Sequence, residues 1–410
     1  MVCEEGSNLR LKTCRLHSVF WHLSNSEAVK NKFFCALNTR ADGSTQEIKS
    51  QRRLCIRNSI LLCIKDVHDS ITSMSSVCSL LFTGPPHQYP VPIDFGLRLI
   101  KVLDALAIRL YEFPVEVVKL IHLRYLALTC NGKIPAIISK LWSLEFLIVS
   151  QHLSIKADGD WPFLPVEIWD MKELKHVQVT GSNLPKPNCG TVLPNLVTLL
   201  DVGAQSCCEE VLKGIPNLKR LGIQIESAPD DNGRPSSYLS LVSRLQVLES
   251  FKYVVVNPEL SCEAFSPLTR VSMFPLGLKK LTLSGLGYPW EFMSIVCELQ
   301  NLEVLKLRCY ALQGPEWVTD YLNLNKVKYL SIEDTDLVRW KLNSASFANL
   351  ESLCIKHCYK LEDLPCAVSN SVKKIEVVDC NPLVVAWAKQ MKNSIKVQIH
   401  SSWDDESLNY

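Results

Sequence analysis

A chain of 410 residues, 47% hydrophobic and 21% charged, can bury a large core and need not be disordered. One globular core of that size is unusual, which favours several domains or an elongated repeat array. The formal net charge of +2 supplies no general attraction to nucleic acid or to a membrane surface.

Residues 1–47 fit no repeat. The opening segment, MVCEEGSNLRLKTCRL, has no apolar stretch of signal-peptide length, and no segment reaches the roughly 18 apolar residues of a membrane span. A cytoplasmic location is therefore expected. The 17 cysteines, an odd number scattered singly, read as reduced and buried thiols rather than a disulfide framework. Leu16, Phe20 and Leu23 fall at helical spacing, so Arg15 to Leu37 predicts one or two short amphipathic helices that cap the repeats behind them.

From residue 48 the pattern LxxLxxLxL recurs, L being any apolar residue. Clear copies are Leu120-Leu123-Leu126-Leu128, Leu141-Leu144-Leu147-Val149 and Ile215-Leu218-Leu221-Ile223, and later Leu299-Leu302-Leu305-Leu307 and Phe347-Leu350-Leu353-Ile355. With weaker copies, repeats begin at 97, 120, 141, 171, 193, 215, 242, 275, 299, 324, 347 and 369, mostly 21 to 25 residues apart. Two further copies precede them, ending Leu54-Ile56 and Val77-Leu80-Phe82, which makes about fourteen over 48–380. The closing LxL has the period of two of a short strand, one face apolar and the other polar. Stacked strands bury the shared apolar face, so the pattern predicts an α/β leucine-rich-repeat solenoid, a curved parallel sheet with an irregular or short-helical convex side. Proline before the apolar run at Pro114, Pro135 and Pro165 suits that convex side, because proline cannot donate to a ladder. Cys358, Cys380 and Asn131 sit three residues past a strand apolar position, where such repeats satisfy the turning backbone, and the cysteines are read as structural.

Insertions are expected at about 150–165, 226–240 and 252–274, with an exposed loop over Ala228 to Pro235. At the far end Pro382 opens a helix running through Met391, followed by a strand over Ile395 to Ile399, and 381–410 forms a C-terminal cap and tail.

The LPxxIxxLxxLxxL phrasing, as in Leu164 to Val177, resembles the repeat domain of plant nucleotide-binding leucine-rich-repeat immune receptors, and within them the late blight resistance proteins of the nightshades. Further matches are Arg52-Arg53-Leu54-Cys55-Ile56, Ser79-Leu80-Leu81-Phe82, Lys101-Val102-Leu103-Asp104 and Ala388-Lys389-Gln390. Cys14-Arg15-Leu16-His17-Ser18 resembles the end of the family's winged-helix region, where a Met-His-Asp motif touches nucleotide; His17 matches, while Leu16 and Ser18 depart from it. No GxxxxGK[ST] phosphate cradle occurs in the sequence, so the resemblance implies a recognition role without a bound nucleotide.

GxSxG, HExxH and paired CxxC motifs are also missing from the sequence, and the pairs His357-Cys358 and Cys14-His17 lack the ligand number of a zinc site. No enzyme activity and no cofactor or metal is expected.

Function then falls to strand residues facing away from the core, on the concave side. The residue after the second apolar position gives Lys101, Arg124, Glu145, Lys175, Val197, Lys219, Gln246, Lys279, Glu303, Lys328, Glu351 and Lys373, of which seven are basic. This reads either as a positive stripe for an acidic partner or, where signs alternate, as a ladder of cross-strand pairs. Lys175-His176, Lys219-Arg220 and Lys279-Lys280 have fewer acids in register and are the stronger contact candidates. Arg124, Lys306, Arg308 and Lys328, with the aromatic anchors Tyr125, Phe146 and Tyr329, complete the candidate surface. The implied partners are proteins (an effector, a host target or other receptor domains), with no nucleic acid and no membrane insertion. A general scaffold or ubiquitin-ligase substrate adaptor, or a truncated fragment without activity of its own, stays open.

Overall fold

The chain divides into two compact units, residues 13–218 with 1–4 and residues 219–410 with 5–12. The computed structural model describes residues 2–5, 11–15, 18–37, 51–57, 76–84, 97–151, 164–188, 190–226, 241–256, 274–319, 323–341, 346–365, 371–391 and 395–401. His17, most of the three expected insertions and the loop around Asp230 lie outside these residues.

In the first unit the period of three before each strand has a direct backbone cause. Pro114, Val117, Leu120 and Leu123 are three apart, and each amide in turn donates to the carbonyl three residues back: Val117 to Pro114 at 3.0 Å, Leu120 to Val117 at 3.0 Å and Leu123 to Leu120 at 2.9 Å. A 3₁₀ turn repeats every three residues, so all these side chains point one way. Pro135-Ile138-Leu141-Leu144 and Pro165-Ile168-Met171-Leu174 repeat the arrangement bond for bond. Proline opens each short helix in an extended conformation at Val115–Lys119, Ala136–Lys140 and Val166–Asp170. Then the period changes to two, and Leu126 and Leu128 enter the core with no exposed surface.

The strands that follow are Cys35–Leu37, Arg53–Arg57, Ser79–Thr83, Val102–Leu110, Tyr125–Cys130, Phe146–Ser150, His176–Val179 and Thr198–Val202. Each pairs in parallel with the next. The ladder thus begins at Cys35, inside the stretch read from sequence as helical. A helix over Ser18–Lys30 precedes it, but the expected apolar stripe faces solvent: Phe20 is 58% and Leu23 61% exposed. Asn25, Ala28 and Val29 form the covered side instead, because Gln51 reaches from the next repeat to donate to the Val29 carbonyl at 3.0 Å. The amphipathic reading of Phe20 and Leu23 is corrected accordingly.

The second unit repeats the parallel order with Arg220–Glu226, Ser250–Val256, Lys280–Ser284, Val304–Arg308, Tyr329–Glu333, Ser352–Lys356, Lys374–Val378 and Lys396–His400. Every copy counted from the sequence has its strand. Leu281, Leu305, Leu330, Leu353 and Ile375 pair in one continuous core row.

Five strand ends of this unit turn through a left-handed residue: Gly285, Cys309, Asp334, His357 and Asp379 have φ between 46° and 71°. Glycine, aspartate and histidine tolerate this region, and Cys309 is the exception in the row. The turn aims each amide at the next strand, as in Cys309 to the Glu333 carbonyl and His357 to the Val378 carbonyl, both 2.9 Å.

Asparagine forms a second row that the sequence reading overlooked. In the first unit Asn195 and Asn217 donate side-chain amides to the Lys172 and Pro194 carbonyls at 3.0 and 2.8 Å. In the second, Asn301 and Asn349 do the same to Leu276 and Asn325 at 3.3 and 2.7 Å. Each stands just before a core leucine, so one repeat satisfies the irregular backbone of its predecessor.

On the side of the second unit away from its main strands, the indoles of Trp290, Trp317 and Trp340 stack with centroids 4.7 and 4.9 Å apart, and Phe347 sets its edge against the last two. Glu316–Val318 and Arg339–Lys341 pair as short strands there, a regular element where the sequence predicts irregular chain. The C-terminal helix spans Pro382–Gln390, its first turn capped by Asn381 accepting from the Leu383 amide at 3.0 Å. The Lys396–His400 strand adds to the sheet edge.

The expectation of uniformly buried thiols needs correction. Cys130, Cys207, Cys354 and Cys358 are buried, Cys208, Cys297 and Cys380 half-buried, and Cys309 exposed. The left-handed turn at Cys309 carries its thiol outward.

Candidate binding face of the sheet

Alternation along each strand sends one set of side chains into the core and the other to the open face. All the candidate residues from Arg124 to Tyr329 occupy open-face positions, either just before a strand or within it.

In the first unit Tyr125, Phe146 and His176 are paired in register on three adjacent strands. Their rings form a row with centroids 5.9 and 5.8 Å apart, the second pair stacked at 29°. Phe146 remains 37% exposed at the centre. One residue earlier runs a row of charge. Glu145 accepts from Lys175 at 2.6 Å and lies 3.6 Å from Arg124. The hydrogen bond from Lys175, with the charges of Lys175 and Arg124, holds the Glu145 carboxyl below its usual range against the opposing effect of burial.

The second unit corrects one assignment. Arg220, Ser250 and Lys280 are in register, so the residue matching Lys219 and Lys279 is Glu249 and not Gln246. The repeat is phased Leu245-Leu248-Phe251-Tyr253, three residues later than the count that began at Val242. Phe251 and Tyr253, both fully buried, occupy the core positions, and aromatic residues in place of leucine hid the phase. Glu249 lies 3.9 Å from Lys219 and 3.6 Å from Lys279. Lys328 pairs with Glu303 at 3.5 Å and Lys373 with Glu351 at 3.2 Å. Lys175, Lys219 and Lys279 therefore face acids in register, contrary to the expectation that singled them out.

Further along the strands, Arg308 meets Glu333 at 2.9 Å and Lys356 meets Glu376 at 2.8 Å. The Lys306 ammonium sits 5.4 Å from the Tyr329 ring centroid. Burial, with Cys354 close by, pushes the Tyr329 phenol well above its usual range. Lys252 also lies on this face, at a position the sequence reading had assigned to an insertion. The thiols of Cys358 and Cys380 donate to strand carbonyls of the preceding repeat, Ile332 at 3.7 Å and Ile355 at 3.5 Å. Among the described residues no group of three or more His, Cys, Asp or Glu is placed to hold a metal ion, and no helix is long and apolar enough to cross a membrane.

The stacked strands and their core rows make this a leucine-rich-repeat fold. No protein-family model matches the sequence. Late blight resistance protein homolog R1B-16 of Solanum demissum is 28% identical over 98% of this chain and 31% of its own length. Homolog R1B-23 of the same plant is 26% identical over 99% of this chain and 32% of its own.

The chain is similar over nearly its whole length to late blight resistance protein homologs.

It spans about a third of the length of these resistance-protein relatives. Similarity to solved structures is weaker. The plant peptide hormone receptor RGFR1, solved in complex with RGF2, aligns with 90% of this chain and 66% of its own at TM-score 0.38 and 12% identity. A circular leucine-rich-repeat protein, CroV588, aligns with 86% of this chain and 46% of its own at TM-score 0.42 and 11% identity.

Proposed function

We propose that this chain is the recognition portion of a plant disease-resistance receptor of the nucleotide-binding leucine-rich-repeat type. It binds a protein partner, whether a pathogen effector, a host target or another receptor domain, through the open face of its sheet. It does so by contact rather than catalysis, and without a nucleotide of its own. The supporting observation is the Tyr125-Phe146-His176 row, which leaves aromatic surface exposed between the flanking cations Arg124 and Lys175. Exposed aromatic anchors beside arginine are the composition that protein interfaces favour. Eleven described cysteines are free thiols, which suits a reducing compartment such as the cytosol.

The test is a pair of variants in the chain expressed in plant tissue. Phe146→Ala with His176→Ala strips the aromatic row, while Val166→Ala alters an exposed side chain on a 3₁₀ turn away from it. Proteins recovered by cross-linking with wild type and Val166→Ala, and lost with the double variant, support the reading. Identical recovery from all three contradicts it.

A further inference from the structure

Across the open face of the first unit, the five strands Val102–Leu110, Tyr125–Cys130, Phe146–Ser150, His176–Val179 and Thr198–Val202 stand side by side. The aromatic row Tyr125-Phe146-His176 begins beside Val102. Two residues further along the strands a second row follows, in which Ala127 pairs with Ile148 and Leu200 lies beyond Gln178. Ala127 has no exposed surface and forms the floor, Ile148 and Leu200 are half-buried, and Phe146 is open to solvent. Together the two rows make an apolar band. On the same face of the second unit such positions hold Ser250, Lys252, Lys280, Thr282 and Lys306, so the band is a property of these residues and not of the fold.

The two borders of the band differ in charge. The row before it carries Lys101, Arg124 and Lys175 against the single acid Glu145, so positive charge is in excess there even with both Glu145 contacts made. Asp104 opens the second row opposite Ala127, and Asp201 stands near its end, where it accepts from Gln178 at 2.7 Å. Both of these acids lie on the side of the aromatic row away from the cations.

We propose that this band docks an amphipathic α-helix of a protein partner, with its apolar stripe over Phe146 and Ile148 and a carboxylate-bearing flank along Lys101, Arg124 and Lys175. The inference rests on the recognition reading above and names the kind of segment recognised. The three inner strands are each paired on both sides, so this face offers no free ladder edge to an extended chain. The N–H and C=O groups of such a chain would lose water against apolar side chains without gaining partners. A helix satisfies its backbone internally and presents only side chains. Its turns rise about 5.4 Å, close to the roughly 4.8 Å between neighbouring strands, so successive turns set apolar side chains over successive strands. Excess positive charge on one border selects the acidic flank and fixes which way round the helix lies.

The experiment measures fluorescence anisotropy of a labelled synthetic helix of about five turns against the full chain, with leucine at every third or fourth position and glutamate along one flank. Wild type should bind it. Replacing the glutamates by lysine, or a central residue by proline to break the helix, should weaken binding by about tenfold or more, and the first loss should shrink as salt rises. On the protein side, Ile148→Ala with Leu200→Ala should weaken binding by about tenfold or more, whereas Val166→Ala, on a 3₁₀ turn away from the band, should change it by less than about twofold. Circular dichroism melts check the fold of each variant, and the peptide arms decide the matter should the double variant melt early. No binding to wild type, equal affinity of the lysine or proline peptide, or equal affinity of the folded double variant would each overturn the helix. If a protein partner still depended on Phe146 while the helical peptide failed to bind, the helix would fall and the recognition reading would stand.

Discussion

The Lys175 ammonium lies 2.6 Å from the Glu145 carboxylate of the preceding repeat, and Glu145 is shared with Arg124 at 3.6 Å. One acid thus ties three repeats together at the edge of the aromatic row. Glu145→Gln should lower stability by about 0.2–1 kcal/mol, the range of exposed pairs. Its folded carboxyl is held below the usual 4.5, so the contribution is fully present above that value and is lost as pH falls through the depressed folded value. Urea melts of wild type and Glu145→Gln should differ at pH 7 and converge in acid. A constant difference at every pH would contradict the pairing.

Reversing Lys175 to Glu separates architecture from recognition. The substitution sets two carboxylates against each other across adjacent strands, at a cost of about 0.2–1 kcal/mol beyond the lost pair. Melting should fall at low salt and recover partly at moderate salt. A melt insensitive to both substitution and salt would show that the row contributes nothing to the sheet.

Core register is tested at Leu305, which is fully buried between Leu281 and Leu330. Leu305→Ala should cost about 2–5 kcal/mol. Leu305→Asp places an unpaired charge among stacked repeats and should cost more still, abolishing cooperative melting of the second unit. Calorimetry decides the matter, and an unchanged transition would refute the assigned register.

Asn217 donates to the Pro194 carbonyl at 2.8 Å. Asn217→Ala should destabilise the first unit by about 0.5–1.5 kcal/mol, the net worth of such a bond. Amide exchange should speed up nearby. Asn217→Asp cannot donate and should fare no better, whereas an Asp variant matching wild type would rule out this bond.

Thiol reactivity should follow burial. Burial pushes Cys130 up to about 11 and Cys207 up to about 12, so neither forms thiolate near neutrality. Cys309 is exposed. Brief iodoacetamide treatment read by mass spectrometry should label Cys309 first and leave Cys130 and Cys207 intact until denaturation. Early labelling of Cys207 would contradict its placement.

The repeat and its strands were legible because the spacing itself encodes the physics. A period of three, as in Pro114-Val117-Leu120-Leu123, is a chain of 3₁₀ hydrogen bonds, and the closing period of two is a strand. The open-face positions of Tyr125, Phe146 and His176 follow from that alternation. So does the C-terminal cap, announced by Asn381-Pro382.

Tertiary structure decided everything that depends on which residues of different repeats stand opposite one another. Phase could not be read where Phe251 and Tyr253 replace leucine, so Glu249 was missed and Lys219 and Lys279 looked unbalanced. The solvent-facing side of Phe20 and Leu23 and the stacked indoles of Trp290, Trp317 and Trp340 likewise have no local signature. Periodicity is a property of one segment and is written in its spacing. Neighbourhood across strands is set only when insertions of different length have been closed and the core rows brought into register, and only there do charges from different repeats meet.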